Sequence, residues 1–209
     1  CRRFLLAGGE PTVFPHLLDV VETLSRAGAS AILVSNGFRL ADRRLSRRLK
    51  EAGVEQAILS LHSHRPEIVS RLVHVPNALP TVLDGFSNLT AEGVRVSVHH
   101  VFYAENYRNF EDFVRFYAER LWQPGLTELS VSNIILLHPE LRRRPECVPR
   151  LSDVAPYLET GVRLARRYGF EIGRGASEDA FPECVFGVGD HVQDKPPQER
   201  WIVSPVSGE

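Results

Sequence analysis

Residues 5–12 of this 209-residue chain read Leu-Leu-Ala-Gly-Gly-Glu-Pro-Thr, and this stretch decides the fold. The apolar run 4–7 predicts a strand that is covered on both faces, as in a parallel sheet. Gly8 and Gly9 then let the backbone approach a ligand, because neither residue has a Cβ. Glu10 adds a negative charge at the carboxyl end of the strand, where α/β folds bind their ligands. Pro11 suits the first turn of a following helix.

The composition of the chain limits the classes of protein to which it can belong. Hydrophobic residues make up 43% of the sequence and charged residues 24%, which is typical of a globular protein with one sizeable core. A net charge of -1 attracts neither nucleic acid nor an anionic membrane, and no apolar run approaches the ~18 residues of a membrane span. We therefore expect neither partner. Three scattered cysteines favour a reducing, cytoplasmic setting over a disulfide framework.

Strand and helix patterns alternate along the chain. Short apolar runs predict parallel strands, and amphipathic runs of helical period separate them. Glycines follow several of these helices, at the position that closes a helix before the next strand. The alternation predicts βα units in series, as in a barrel or a doubly wound sheet. The candidate strands are residues 4–7, 31–35, 56–61, 94–102, 129–137 and 170–172.

Polar residues also follow the second and third candidate strands. Ser35 and Asn36 end the second strand, and a common Asn-Gly turn accounts for them without any ligand. Their hydroxyl and amide groups can also donate and accept hydrogen bonds. The third strand ends in Ser60 and His62. Because functional residues gather at the carboxyl ends of barrel strands, these side chains are candidates for a ligand site.

The order of these segments resembles the core of radical S-adenosylmethionine (SAM) enzymes, over roughly residues 4–137. The resemblance implies an α/β fold, a partial (β/α)6 TIM-type barrel of parallel strands whose first βα unit is missing. It also implies reductive cleavage of SAM to a 5′-deoxyadenosyl radical, which abstracts hydrogen from a substrate. The implied partners are a [4Fe–4S] cluster, an electron donor such as flavodoxin or ferredoxin, and a small-molecule or peptide substrate. The substrate stays unknown, and family frequency favours peptide or natural-product modification.

The resemblance assigns residues to the amino group, the carboxylate, the nucleoside and the adenine of SAM, but assigns no catalytic residue. His62 departs from the family, which commonly has an aspartate there, although imidazole can still bind a ribose hydroxyl. The residues implied are Gly8, Gly9, Glu10 and Pro11 for the amino group, Ser60 for the carboxylate, Ser35, Asn36 and His62 for the nucleoside, and Leu136, which the pattern does not separate from Leu137, for the adenine.

The cysteines do not match what the family needs. Its cluster is usually held by thiolates in the spacing Cys-x-x-x-Cys-x-x-Cys. The chain has only Cys1, Cys147 and Cys184, so this spacing is absent. We expect the cluster ligands to lie outside this chain, which alone would be inactive. Residues 1–180 are expected to form the partial core barrel, and residues 181–209 a C-terminal extension that reads as truncated.

Histidines near the strand ends leave two alternatives open. His99 and His100 are adjacent on the fourth candidate strand, so alternation turns one of them into the barrel. Together with His62 and His64, they allow a metal-dependent hydrolase on a (β/α) barrel, because imidazole suits zinc or iron. The other alternative is a non-catalytic, degenerate barrel that binds a partner or a nucleotide. The missing cluster motif favours it, whereas the intact Glu10 and Ser60 argue against it.

Overall fold

The computed structural model of the chain describes residues 3–134, 143–174 and 200–203. Strands and helices alternate through these residues, as the sequence predicts. The strands are β1 Arg3–Leu6, β2 Ser30–Ser35, β3 Val54–Ser60, β4 Arg95–Phe102, β5 Thr127–Asn133, β6 Ile172–Arg174 and β7 Arg200–Val203. The helices are α1 Leu17–Arg26, α2 Arg43–Ala52, α3 Pro66–Val73, α4 Ala78–Ala91, α5 Phe110–Arg120 and α6 Leu151–Tyr168.

One parallel sheet organises the fold. Its strand order is β6-β5-β4-β3-β2-β1-β7, so β1 to β6 lie side by side in chain order. This sequential winding of βα units confirms the predicted fold class, a partial barrel of parallel strands. Among the described strands the sheet does not close into a ring, because β6 and β7 are its edges. None of the described helices is both long and apolar enough to cross a membrane.

Three details of the strands differ from the sequence predictions. The fifth strand begins at Thr127 and ends at Asn133, and residues 135–137 of the prediction lie outside the described part. The sixth strand starts at Ile172 rather than at 170, because the Phe170 amide donates back to Ala165 O at the end of α6. The sequence did not predict β7, which pairs with β1. The domain boundary after residue 180 stays a prediction.

Alternation along the strands gives the sheet two distinct faces. Leu33, Leu59 and Val98 point to one face, where they belong to the buried core with the apolar residues of the helices. We call this face the helix-facing layer. On the other face, which we call the interior face, Ser60 is paired in register with His99, and His99 with Ser130. The register therefore brings polar residues of three neighbouring strands together on the interior face.

Candidate functional site

Glu10 joins the carboxyl ends of β1 and β2. Its Oε1 accepts hydrogen bonds from Thr12 N at 3.1 Å, from Thr12 Oγ1 at 2.6 Å and from Ser35 Oγ at 2.9 Å. Its Oε2 accepts from the backbone amide of Asn36 at 2.7 Å. Hydrogen bonds to an ionised carboxylate are about twice as strong as those between neutral groups. The Glu10 carboxylate therefore fixes the turn after β2 against the turn after β1.

The two glycines before Glu10 are exposed at the same strand end. Gly8 has a φ of 149°, a backbone conformation that side chains with a Cβ rarely adopt. A Cβ added to Gly9 would meet no atom within 4 Å, so the space beside this backbone is open. Pro11, which follows Glu10, is buried as the first residue of a short 3₁₀ helix. The arrangement leaves room for a ligand directly against the backbone of the glycines.

Ser35 and Asn36 play different parts in this corner of the site. Ser35 is buried, donates its hydroxyl proton to Glu10, and accepts from the Gly37 amide at 3.0 Å. Asn36 Oδ1 accepts from Phe38 N at 3.1 Å. The Nδ2 group of Asn36 makes no hydrogen bond to any residue in the described part of the chain, so it remains a donor for a ligand.

His62 presents one defined hydrogen-bond donor. Its Nδ1 lies 3.1 Å from the backbone amide of Val101, which can only donate, so Nδ1 must be the unprotonated nitrogen. Burial, followed by the neighbouring His99, lowers the pKa of His62 to about 3. The ring is therefore neutral near pH 7, with its proton on Nε2. No described residue accepts a hydrogen bond from Nε2.

Asn106 holds the strand ends on which His62 depends. Its Nδ2 donates to the carbonyl oxygens of His62 at 2.7 Å and Val101 at 2.8 Å, and its Oδ1 accepts from Tyr103 N at 2.8 Å. The side chain is almost fully buried, so these bonds satisfy groups that water does not reach. Asn106 thus positions His62, a role that the sequence prediction did not contain.

The interior face continues from Ser60 to His99 and β5. Ser60 Oγ makes no hydrogen bond to a described residue. The His99 ring lies between two serine hydroxyls, with Nδ1 3.0 Å from Ser130 Oγ and Nε2 3.0 Å from Ser132 Oγ. His99 is therefore the histidine of the adjacent pair that points to the interior face, as alternation required of one of them.

His100 lies on the opposite face of the same strand. It is 1% exposed, and its ring centroid lies 4.9, 5.1 and 4.4 Å from those of Phe102, Phe110 and Phe113. Neither ring nitrogen has a hydrogen-bond partner among the described residues. Burial in this apolar layer, followed by the nearby His62 and His99, holds the pKa of His100 well below its ordinary value. His100 therefore packs as a neutral ring.

The histidines do not assemble the metal site that the hydrolase alternative needs. His64 packs against Phe116, with ring centroids 5.9 Å apart, while His100 faces away from His99. Residues 3–134 and 143–174 contain no group of three or more histidine, cysteine, aspartate or glutamate residues arranged to bind a metal ion. The geometry of the described residues thus gives the hydrolase alternative no ligand set.

Most of the predicted SAM residues meet at one end of the sheet. Gly8 to Pro11, Ser35, Asn36, Ser60 and His62 all lie at the carboxyl ends of β1, β2 and β3. Leu136, Cys1 and Cys184 lie outside the described residues. Sequence reasoning missed Thr12, Ser130 and Ser132, although a threonine two residues after a carboxylate and serines in strand alternation are readable signals.

The fold and site define a class of parallel α/β enzymes with a ligand site at the carboxyl ends of the strands. The family model of the Radical SAM superfamily matches residues 1–117, which is more than half of the chain. The chain therefore belongs to the radical SAM superfamily. Enzymes of this superfamily use SAM and a [4Fe–4S] cluster. The open backbone at Gly9 and the unused donors of Asn36 and His62 fit SAM, whereas Cys1, Cys147 and Cys184 lack the spacing for the cluster.

The curated relatives described below share one name, probable GTP 3′,8-cyclase. A probable GTP 3′,8-cyclase of Sulfolobus acidocaldarius is 28% identical over 140 residues, which cover 66% of this chain and 42% of the relative. A probable GTP 3′,8-cyclase of Thermococcus kodakarensis is 36% identical over 84 residues, covering 40% of this chain and 26% of the relative. The chain thus spans less than half of the length of these relatives.

Solved structures support the fold. A domain of pyruvate-formate lyase-activating enzyme from Bacteroides vulgatus superimposes with a TM-score of 0.60 at 15% identity, covering 82% of this chain and 97% of that domain. Streptococcus suis SuiB bound to S-adenosylmethionine superimposes with a TM-score of 0.63 at 15% identity, covering 81% of this chain and 37% of SuiB. At this identity the likeness concerns the fold alone.

Proposed function

We propose that this enzyme binds SAM at the carboxyl ends of β1, β2 and β3 and acts on a guanine nucleotide such as GTP. The observation that carries the SAM site is the set of unused polar groups around the Glu10 corner. Asn36, Ser60 and His62 each keep hydrogen-bonding capacity that no described residue uses. The names of the relatives favour a nucleotide substrate over the peptide or natural product that the sequence led us to expect.

Glu10 has a double role in this proposal. Each carboxylate oxygen offers about two lone-pair sites. Oε1 already receives three donors, whereas Oε2 receives only the amide of Asn36. Oε2 therefore accepts the amino group of SAM beside the open backbone of Gly8 and Gly9. Ser35, which is buried against Glu10, acts through the position of this carboxylate.

Ser60, His62 and Asn36 bind the rest of the cofactor in this proposal. The Ser60 hydroxyl donates to the carboxylate of SAM. His62 Nε2–H donates to a ribose hydroxyl oxygen, and the Asn36 amide lies on the side of β2. An aspartate at position 62 would accept from the ribose, so the neutral His62 reverses the direction of this hydrogen bond. Asn106 and Val101 hold the ring in the tautomer that makes this possible.

Once bound, SAM would supply the hydrogen-abstraction chemistry of the superfamily, with its electron coming from a reduced cluster. The residues of this chain orient SAM through Glu10, Ser60 and His62, and they leave the interior face of β4 and β5 for the substrate. No step through the cluster follows from this chain, because its cysteines lack the required spacing. We also propose a flavodoxin or ferredoxin as electron donor and a cytoplasmic location.

The test uses the full-length holoenzyme, which we expect to include the cluster ligands, reconstituted with iron and sulfide without air and supplied with SAM and a chemical reductant. We expect 5′-deoxyadenosine and, with GTP present, consumption of GTP, while ATP serves as the matched control nucleotide. Failure to form 5′-deoxyadenosine would contradict the SAM reaction. Formation of 5′-deoxyadenosine without consumption of GTP would contradict only the proposed substrate.

A further inference from the structure

The interior face of β4 and β5 carries a polar cluster that the proposed SAM contacts do not use. His99 lies between Ser130 Oγ and Ser132 Oγ at 3.0 Å each, and Ser97 Oγ lies 3.2 Å from Ser130 Oγ. We call Ser97, His99, Ser130 and Ser132 the β4–β5 polar cluster. Ser60 is the register partner of His99, so the cluster lies directly beside the proposed carboxylate site of SAM.

The cluster is unusual for the inside of an α/β barrel. Bulky branched side chains dominate such interiors because they pack without leaving polar groups unsatisfied. On the interior face Ile32 and Val34 of β2 and Ile58 of β3 follow this rule, whereas Gln56 and Ser60 of β3 do not. On β4 and β5 the same face has serines and a histidine instead. Burial of hydroxyl and imidazole groups is unfavourable unless hydrogen bonds compensate for lost water.

The hydrogen bonds within the cluster leave part of its capacity unused. A serine hydroxyl has one proton and two lone pairs. Ser130 is only half-buried, and its Oγ has Ser97 and His99 as hydrogen-bond partners among the described residues, which leaves one of its three sites for a ligand. Ser60, next in the row, makes no hydrogen bond to a described residue. A ligand on the interior face would therefore find both donors and acceptors in one row.

The chemistry of the cluster selects the part of a substrate that it can bind. Strands β4 and β5 contain no lysine, and their arginine, Arg95, lies at the amino end of β4, away from the cluster. Phosphate groups are bound most strongly by arginine, lysine and backbone amides. Neutral hydroxyl and imidazole groups instead match the donor and acceptor edge of a nucleobase or a sugar.

We propose that the β4–β5 polar cluster binds the nucleoside part of the substrate through the half-buried hydroxyl of Ser130, which His99 holds in position. This inference rests on the proposed nucleotide substrate, and it names the residues that recognise the base and sugar. Both ring nitrogens of His99 bond to serine hydroxyls, so His99 acts as a positioning residue that orients Ser130 before the substrate arrives.

The test compares adjacent histidines in the reconstituted holoenzyme. In His99→Phe the Ser130 hydroxyl loses the ring that orients it. We therefore expect the dissociation constants of GTP and guanosine to rise by the same factor, about tenfold or more, as for one or two lost hydrogen bonds. The dissociation constant of SAM and the formation of 5′-deoxyadenosine without substrate should stay unchanged. His99→Gln, which keeps a donor and an acceptor, should restore part of the affinity. His100→Phe is the matched control and should change neither ligand.

Each contrary result has a separate meaning. Unchanged GTP affinity in His99→Phe overturns the role of the cluster, and an equal loss of SAM affinity does so as well. A loss for GTP but not for guanosine overturns the contact with the nucleoside. A wild-type enzyme that forms 5′-deoxyadenosine but binds neither GTP nor guanosine overturns the substrate class itself. If His99→Phe does not fold, Ser130→Ala removes a single hydroxyl and undergoes the same comparison.

Discussion

His99 and His100 are neighbours in sequence, yet they belong to different parts of the molecule. His99 lies between serine hydroxyls on the interior face, whereas His100 lies among three phenylalanines in the helix-facing layer. Strand alternation alone separates them. In our proposal the interior face binds ligands, whereas the helix-facing layer stabilises the fold. Substitutions on the two faces should therefore change different quantities.

The largest expected effect on stability lies in the helix-facing layer, at Phe110. Phe110 is fully buried against His100, and a Cβ at Gly161 of α6 would lie only 2.5 Å from its ring, which shows how closely the helix packs. Phe110→Ala should lower the free energy of unfolding by about 3–5 kcal/mol in urea denaturation. Phe14→Ala, at a 39% exposed site, is the control and should cost less than about 1 kcal/mol. Similar losses for both would contradict the assignment of the core.

The largest expected effect on binding lies at Glu10. Glu10→Ala removes the acceptor of four hydrogen bonds and the proposed partner of the SAM amino group. Hydrogen bonds to charged groups contribute about 1.5–3 kcal/mol each, so the dissociation constant of SAM should rise about 100-fold. Titration calorimetry on the reconstituted holoenzyme measures it, and Glu22→Ala on the exposed surface of α1 is the control. An unchanged SAM affinity in Glu10→Ala would contradict the proposed role of Glu10 in SAM binding.

Acid pH should destabilise the protein through its buried neutral histidines. The folded-state pKa of His62 is about 3, below the value of 6.5 in an unfolded chain, so the unfolded state binds the proton first as pH falls. Stability is unaffected by this group above about pH 6.5 and falls by about 2 kcal/mol on reaching pH 5. The lowered pKa of His100 acts in the same direction.

Urea denaturation at about pH 7.5 and about pH 5 measures this loss. His62→Gln should show a smaller loss of stability between the two pH values than the wild type. His100→Phe should also show a smaller loss, because it removes the second ring that stays neutral in the fold. An unchanged pH dependence in both variants would contradict the neutral state of these rings.

A smaller effect is expected where α4 supports the turn after β2. A Cβ on Gly85 would lie 2.5 Å from Gly37 O, so Gly85→Ala must shift the helix or the turn. Overpacking of this kind costs about 1–3 kcal/mol, against a gain in helix propensity of up to about 1 kcal/mol. We expect modestly lower stability and weaker SAM binding, with Ser87→Ala on the exposed side of α4 as control. Unchanged SAM binding in Gly85→Ala would contradict a contribution of the turn after β2 to the SAM site.

The sequence predicted the elements of the fold better than the contacts within the site. Apolar runs and glycine punctuation located six strands, because parallel strands must be apolar on both faces. The start of the sixth strand was wrong, since the closing hydrogen bond of Phe170 depends on α6. The strand at Arg200–Val203 was missed, because it pairs with β1 and the two strands lie far apart in the sequence.

Sequence motifs predicted which residues lie at the site, but they did not predict the hydrogen bonds between them. Gly-Gly-Glu-Pro located Glu10, but only the fold shows that Ser35 and Asn36 bind its carboxylate. Alternation placed one histidine of the adjacent pair in the interior, and the register of β4 on β5 identified it as His99. The tautomer of His62 depends on an amide 39 residues away, which no local pattern contains.

The most direct test of the division between the two faces uses Leu59 and Ser60, adjacent residues of β3 that point to opposite faces. The measurement is the dissociation constant of SAM for the reconstituted Ser60→Ala holoenzyme, with Leu59→Ala as the matched variant. We predict about tenfold weaker binding of SAM in Ser60→Ala with unchanged stability. Leu59→Ala should lose about 2–5 kcal/mol of stability and keep the SAM affinity of its folded fraction. Wild-type SAM affinity in Ser60→Ala would contradict the account.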